Sequence, residues 1–418
     1  MRNNNKKCKH KITKGAISMK IFTISVLIIL LLILLVFIDF QFGQKKHLAH
    51  VKKTSFPKRS GYLQLFTSGP HLLNELFADI SHATHHVHVQ FFIVKSDKIS
   101  KQFLALLKKK SEEGVEVRLL LDRVGSFGFK KKQIETLKAS GVKFAFSHPL
   151  KLPYFFHSSQ ERNHRKITII DGQIGYIGGF NIAEEYINEK PKLSPWRDYH
   201  LKIIGEGVQD LQQQFLIDWS SATGEQINYS KVYIKKGKHG PQQFQLVPTE
   251  GAFLEKEFLS LIHIAKHSIT IGTPYFIPSE LILDSLKSAL LHGISINIIV
   301  PYTNDHPLVK EAAYPYFRKL LPLGAKVYQY QKGFFHAKYI LIDDTMVDIG
   351  TANFDKRSLF LNHEINCYIF DQSSINEIKK SILEDIENSN MLTLDYLNNL
   401  SLQERMKERL GKLFSSLL

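Results

Sequence analysis

Hydrophobicity along this chain falls into two regimes. From Ile21 to Ile38 it reads IFTISVLIILLLILLVFI, without a single charge, and a run of that length is enough to cross a bilayer as a helix. A cleaved signal is the competing reading. No small-residue cleavage site follows, since the next residues are DFQFGQKK, so an uncleaved anchor is expected. Beyond about residue 60 the apolar positions come in short β-branched bursts separated by amphipathic stretches, the alternation of strands and helices.

That second regime is written twice. YLQLF (62–66) is followed by the helical HLLNELFADISHA, the strand VHVQFFIV (87–94), a helix ending at Gly114 and the strand VEVRLLLD (115–122). FQLV (244–247) is followed by the helical GAFLEKEFLSLIHIA, the strand SITIGTPYFI, a helix ending near Gly293 and the strand ISINIIVP (294–301). Both helices stop at glycine, the usual left-handed C-terminal cap. Next, LKASGVKFAF (137–146) matches LLPLGAKVYQY (320–330). A period this long is a duplicated domain rather than a solenoid. The expected fold is α/β, with two mixed, mostly parallel sheets flanked by helices and related by a pseudo-twofold axis. The expected boundaries are a basic tail over 1–20, a transmembrane helix over 21–38, a linker over 39–60, and halves over 61–235 and 240–418.

Polar residues repeat along with the elements. HRKITIIDGQIGYIGGFN (164–181) and HAKYILIDDTMVDIGTAN (336–353) share His, Lys two residues later, Asp seven residues later, a small pair and a final Asn. On a strand, residues i and i+2 share a face. His164 therefore projects with Lys166, and His336 with Lys338, while Arg165 and Ala337 face away. A histidine supplies a nucleophile or a proton donor near neutral pH, and lysine supplies positive charge for a phosphoryl oxygen. Asn181 and Asn353 add neutral donors to the phosphate. Pairing the halves gathers two His, two Lys and two Asn around one phosphate, a donor set that suggests phosphodiester chemistry with no metal and no cofactor. Asp171 and Asp343 complete the catalytic signature, but their odd parity suits bracing the strand end better than touching substrate. The tract His82, His85, His86 and His88 lacks a partner Cys or carboxylate pattern and is read as a basic surface.

The two motifs resemble the HxKxxxxD signature of the phospholipase D superfamily, and the resemblance runs from about residue 60 to the C-terminus. PWRDYHLKIIGEGVQDLQQQFLIDW (195–219), TPYFIPSELI (273–282), NFDKRSLFLNHE (353–364) and the ending ERLGKLFSSLL are similar to bacterial cardiolipin synthases. The resemblance implies a duplicated phospholipase D-like fold and a ping-pong phosphatidyl transfer through a phosphatidyl-histidine. Both donor and acceptor would be phosphatidylglycerol, and glycerol would leave. It further implies His164 as nucleophile, His336 as the acid for the leaving group, and Asp198 and Glu364 as the carboxylates orienting the histidines. Two departures stand out: relatives commonly carry two N-terminal hydrophobic segments, and Gly178-Gly179 replaces their usual Gly-Ser.

Charge refines the partner. The formal net charge is +16, which favours a polyanion, either nucleic acid or an anionic membrane. The anchor and the quoted blocks favour anionic membrane lipids over nucleic acid, and a single-pass protein of the cell membrane. Arg2, Lys6, Lys7, Lys9, Lys11, Lys14 and Lys20 precede the span, and Lys45, Lys46, Lys52, Lys53, Lys58 and Arg59 follow it. The positive-inside rule thus has almost no bias to act on. Only Cys8 and Cys367 are present, so packing rather than disulfides must hold the fold. A phospholipase D hydrolase, with water as acceptor, is the alternative enzyme; a nuclease and an inactive lipid-binding scaffold rank below it. At the C-terminus, Leu402, Met406, Leu410, Leu413 and Leu417 form one helical stripe, expected to pack on the protein's own core.

Overall fold

The computed structural model describes residues 2–227 and 239–415, with side chains from residue 19 onward. The chain forms two compact units, one of Met1–Val51 with Leu150–Gln160 and the other of Lys52–Pro149 with Glu161–Leu418.

In the smaller unit a continuous helix runs Arg2–His50, so the linker expected from residue 39 begins inside it. Its stretch Met19–His50 is long and apolar enough to cross a membrane. Asp39 accepts from the amides of Phe156 (2.8 Å) and His157 (3.1 Å), fixing the short helix Phe155–Gln160 against it. Gly43 makes this approach possible, because a Cβ there would lie 2.5 Å from the Cβ of His157.

In the larger unit the expected duplication is visible strand by strand. One half-sheet reads Arg59–Ser68, Trp196–Gly205, Ile174–Gly178, Ile167–Ile170, His86–Phe91, Glu116–Asp122, Lys143–Ser147. The other reads Gln242–Glu250, His363–Ile369, Met346–Gly350, Tyr339–Ile342, Ser268–Gly272, Ser295–Pro301, Lys326–Tyr330, with Ser389–Leu392 beyond it. Arg59–Ser68 pairs antiparallel with Gln242–Glu250, so the halves form one continuous sheet rather than two. Along the main path of the sheet, parallel pairing joins only Glu116–Asp122 to its two neighbours in the first half and Ser295–Pro301 to its two in the second, and the other ladders on that path are antiparallel. The mixed α/β fold class therefore stands, but "mostly parallel" does not. The reason is the motif itself: the strands carrying the Lys166 and Lys338 segments return by tight turns, as hairpins, where a parallel connection would need a crossover.

Helices cover both faces. Leu72, Leu76 and Phe103 pack on Val87 and Val89 in the first half, and Phe258, Leu286 and Phe317 pack on Ile271 and Ile298 in the second. A third apolar layer is shared, with Leu201 and Phe215 beside Ile349, Ile365 and Ile378. Gly114 (φ 89°) and Gly293 (φ 83°) end their helices in the left-handed conformation expected for them.

Two expectations are overturned here. His86 and His88 are buried, not a basic surface. Their strand is covered on both sides, and the face they share looks onto the helix Gly207–Thr223. Gln212 from that helix joins the two rings, with its Oε1 3.0 Å from His86 Nε2 and its Nε2 2.9 Å from His88 Nδ1. The C-terminal stripe does not pack inward either: Leu402 is 76% and Leu413 71% exposed. Its helix, Leu402–Phe414, docks instead through Gly411, where a Cβ would stand 3.0 Å from the amide of Ala312, and through the pair Arg318–Glu408. Leu417 lies outside the described residues.

Arg165 faces away from its motif histidine, as strand parity requires, yet is fully buried. Its guanidinium pairs with Asp218 (2.5 Å) and donates to the carbonyls of Thr249 (2.8 Å) and Glu364 (3.0 Å), tying the halves together. Arg165→Ala leaves Asp218 buried without its cation and should destabilise the protein by about 3–5 kcal/mol. Thermal unfolding in detergent would register this as a large drop in Tm, whereas an unchanged Tm would show that the network contributes nothing.

Candidate active site

Each motif histidine is delivered by the residues just before its strand. Those residues cross to the other half. The amide of His164 donates to the carbonyl of His363 (2.9 Å), and Asn163 forms a parallel bridge with His363. The amide of His336 donates to the carbonyl of Arg197 (2.7 Å), and Phe334–Phe335 pairs in parallel with Trp196–Arg197. Arg197 and His363 immediately precede Asp198 and Glu364, so each crossing sets a histidine beside the other half's carboxylate.

The carboxylates are exchanged. His164 Nδ1 donates to Glu364, at 2.9 and 3.1 Å from its two oxygens. His336 Nδ1 lies 2.5 Å from Asp198 Oδ2. The sequence reading counted Asp198 from His164 and Glu364 from His336, each within its own half; the structure pairs them in trans. Lys338 Nζ stands 2.6 Å from the same His336 nitrogen and 3.5 Å from Asp198. A carboxylate can only accept, so the Nδ1 proton points at Asp198 and Nε2 keeps the lone pair, while Lys338, which can only donate, directs its hydrogens to the His336 carbonyl and Asp198. Lys166 Nζ donates to the His164 carbonyl (2.6 Å), and Lys338 Nζ donates to that of His336.

All six groups are buried, and burial sets their ionisation. It lowers His164, with Glu364 opposing and Lys166 adding to the depression. Burial and then Lys338 push His336 down to about 4 against the pull of Asp198. Lys166 is pushed down to about 7 by burial, with Glu364 opposing, and burial lowers Lys338 as well. Burial alone would raise the two carboxylates. Lys338 and His336 outweigh it at Asp198, as His164 and Lys166 do at Glu364, and both stay ionised. At neutral pH the arrangement therefore holds two neutral imidazoles, each with Nδ1 engaged, beside the Lys338 ammonium and a Lys166 poised between its charged and neutral forms. It can attack, protonate and neutralise at one phosphorus.

Not every expected residue joins them. Asp171 accepts from the amides of Thr84, His85 and His86 at 2.8–2.9 Å, and Asp343 from those of Lys266, His267 and Ser268 at 2.6–2.8 Å. Both serve as strand-end braces, so the structure removes them from the set of groups that meet at the site. Asn181 takes the Ile93 amide on its oxygen (3.0 Å) and donates to the Tyr186 hydroxyl (3.1 Å), leaving one amide hydrogen. Asn353 is buried, its amide oxygen without a hydrogen-bond partner.

Several neighbours escaped the sequence reading. Thr351 Oγ1 (2.6 Å) and Ser358 Oγ (2.9 Å) donate to Glu364. At the matching position 179 a Cβ would fall 2.0 Å from Asp198 Oδ1, so glycine there makes room for the carboxylate. The aromatic surroundings also differ. Phe92 lies edge-on to His164 (5.1 Å between ring centres), beneath a loop exposing Val124 and Phe127. Trp196 (4.9 Å) and Tyr275 (6.3 Å) flank His336, and the Tyr275 hydroxyl donates to Asp305 at 2.5 Å. The polar Tyr275–Asp305 pair, set among Trp196 and Phe334, distinguishes the surroundings of His336 from the apolar ring beside His164.

The sequence matches the family described as "Cardiolipin synthase, PLD-like domain" over residues 76–215 and 258–386. It is 42% identical over 400 residues to the minor cardiolipin synthase of Bacillus subtilis (strain 168), across 96% of this chain and 100% of that one. Cardiolipin synthase 2 of Staphylococcus epidermidis is 40% identical over 362 residues, covering 85% of this chain and 74% of its own. Among solved structures, the phosphatidylserine synthase of Haemophilus influenzae Rd KW20 shares the fold, with a TM-score of 0.67 over 90% of this chain and 100% of that chain at 15% identity.

The trans pairing makes a specific demand. Asp198→Asn and Glu364→Gln keep shape but lose the charge that holds the Nδ1 proton. Each should lower kcat by on the order of 10²–10⁴-fold with little change in KM. Steady-state kinetics alongside melting curves would check this, and wild-type kcat in either folded variant would refute the pairing.

Proposed function

The chain belongs to the cardiolipin synthase family of phospholipase D-like proteins, and from that premise we propose that it moves a phosphatidyl group between two phosphatidylglycerol molecules, forming cardiolipin and releasing glycerol. His164 Nε2 attacks the phosphorus of the first lipid while Glu364 holds the Nδ1 proton and takes up the charge that develops on the ring. The bond to the glycerol oxygen breaks, and His336 gives that oxygen a proton. A phosphatidyl group is then carried on His164. The terminal hydroxyl of the second phosphatidylglycerol loses its proton to His336 and attacks the phosphorus. The phosphorus–nitrogen bond breaks, and cardiolipin departs. Lys166 and Lys338 neutralise the non-bridging oxygens throughout, assisted by the remaining amide hydrogen of Asn181 and by Asn353.

The observation that supports this reading is the exchanged pair of histidine–carboxylate contacts, His164 with Glu364 and His336 with Asp198, with Lys166 and Lys338 buried beside them. The division of labour follows the polarity of the walls. Phe92 and the apolar loop flank His164, where the diacyl part belongs, while Tyr275 and Asp305 flank His336, where a glycerol hydroxyl enters or leaves. His336 is neutral in the free protein, so it takes up its proton as the anionic phosphodiester arrives. The apolar stretch within Met19–His50 is assigned to the cell membrane as a single span, with Lys45 and Lys46 at anionic head groups.

The reaction is tested by incubating the full-length protein in detergent with labelled phosphatidylglycerol. Cardiolipin with stoichiometric glycerol is expected, and phosphatidic acid as the main product would replace the lipid acceptor with water. After a rapid acid quench that spares phosphohistidine, label should sit on the His164 peptide and persist in a slow His336→Asn variant. Label confined to the His336 peptide would reverse the two roles.

The lysine makes a second demand. Lys166, with its proton leaving at about pH 7, carries full charge below that pH and loses it above. In a His336→Asn background, which removes the other titration, affinity for short-chain phosphatidylglycerol should weaken as pH rises through about 7. Calorimetric Kd values that stay level from about pH 6 to 9 would exclude Lys166 as the phosphate's counter-charge.

A further inference from the structure

Beside the first crossing lies a cluster that the transfer chemistry does not use. His148 follows the strand Lys143–Ser147, Glu161 lies three residues before His164, and His363 immediately precedes Glu364. Three of their atoms form a close triangle. His363 Nε2 is 3.0 Å from Glu161 Oε1, His148 Nε2 is 3.5 Å from that same oxygen, and the two Nε2 atoms are 3.1 Å apart.

Hydrogen bonds cannot satisfy that triangle. A carboxylate oxygen only accepts, and a neutral imidazole nitrogen either carries a proton or presents a lone pair. If both nitrogens donate to Glu161, two N–H groups face each other at 3.1 Å. If one donates to the other, the acceptor's lone pair faces the carboxylate oxygen. One side is repulsive in every arrangement. A cation at the centre makes all three sides attractive, and the spacing suits one: zinc bonds of about 2.0–2.1 Å in tetrahedral geometry separate ligand atoms by roughly 3.3 Å.

A further feature agrees. His148 has φ 49°, a left-handed conformation that costs a non-glycine residue energy and that functional positions tolerate.

We propose that His148, Glu161 and His363 bind a first-row divalent metal ion, zinc being the best match to two imidazoles and a carboxylate, as a structural clamp on the His164 crossing. The ion ties the segment leading into His164 to the residue leading into Glu364, so it positions the nucleophile without touching the phosphate. One ion per chain is expected, because the pseudo-symmetric crossing is locked differently. There Arg197 stands where His363 stands here and pairs with Asp385 (2.7 Å), and Gly333 stands in place of Glu161. The sequence reading expected no metal because these ligands are scattered across both halves.

The test uses the full-length protein in detergent, stripped with EDTA and dialysed. Zn²⁺ is titrated against a chromophoric chelator, and Co²⁺ is followed by its visible absorption. One tight equivalent per chain is expected, with a rise in Tm on zinc addition. His148→Ala and the near-isosteric Glu161→Gln should weaken it by on the order of 100-fold or more, while the exposed control His85→Ala leaves it intact. If His148→Ala fails to fold, Glu161→Gln decides. A wild-type protein that takes up less than one equivalent, or a site that survives in folded Glu161→Gln, would overturn the proposal. The readout is the metal itself, so it stands apart from whether the lipid reaction proceeds as proposed.

Discussion

Two main-chain hydrogen bonds govern the site: His164 amide to His363 carbonyl, and His336 amide to Arg197 carbonyl. Each joins the segment entering one motif to the segment entering the other half's carboxylate. A single half, folded alone, would have a histidine without its carboxylate and a carboxylate without its histidine. The central pairing of Arg59–Ser68 with Gln242–Glu250 holds the halves in register, and the buried Arg165 locks the same junction from behind with Asp218 and two carbonyls. The duplication is thus a requirement of the chemistry as well as a record of how the chain arose.

Electrostatics explains why so much charge can be buried together. Below about pH 7, where Lys166 keeps its proton, two lysines balance two carboxylates and the histidines stay neutral, so the site asks the protein to bury no net charge. An isolated buried ion costs several kcal/mol, and a paired one is tolerated when geometry and hydrogen bonds are good. The arrival of a singly negative phosphodiester upsets that balance by one unit. In the proposed reaction, proton uptake at His336, otherwise held down to about 4, would restore it, and the same proton would serve the leaving oxygen, coupling binding to acid catalysis through a single charge.

Much of this was legible in the sequence, because repetition reports on itself. Two copies of His-x-Lys at matching places in a repeated strand order identified the histidines, the lysines and their shared face, and parity sent Arg165 and Ala337 to the other side. What was not legible depends on which strand lies next to which. His86 and His88 read as surface because their tract lacks a partner Cys or carboxylate pattern, and nothing local reveals that Gln212, more than a hundred residues on, closes over them. The trans assignment of Asp198 and Glu364 was hidden for the same reason, since sequence distance favours the nearer histidine. The C-terminal stripe failed differently: its periodicity was right, but the helix docks on the face of Gly411, where a missing side chain rather than an apolar one allows contact.

The differences between the repeats carry as much meaning as their likeness. Glycine at 179 admits Asp198 so closely that a side chain would collide, whereas Thr351 at the matching place donates to Glu364. Glu364 therefore spends hydrogen-bonding capacity on Thr351 and Ser358 as well as on His164, and a carboxylate so engaged is held rigidly and at lower basicity. That suits a partner that must orient an attacking imidazole. Asp198 receives fewer donors and sits next to Lys338, a setting that suits an imidazole which gains and loses a proton in each half-reaction. With Phe92 beside His164 and Tyr275–Asp305 beside His336, the two histidines stand in different surroundings, as the proposed division between attack and proton transfer requires. A symmetric site would contain the same groups without that division.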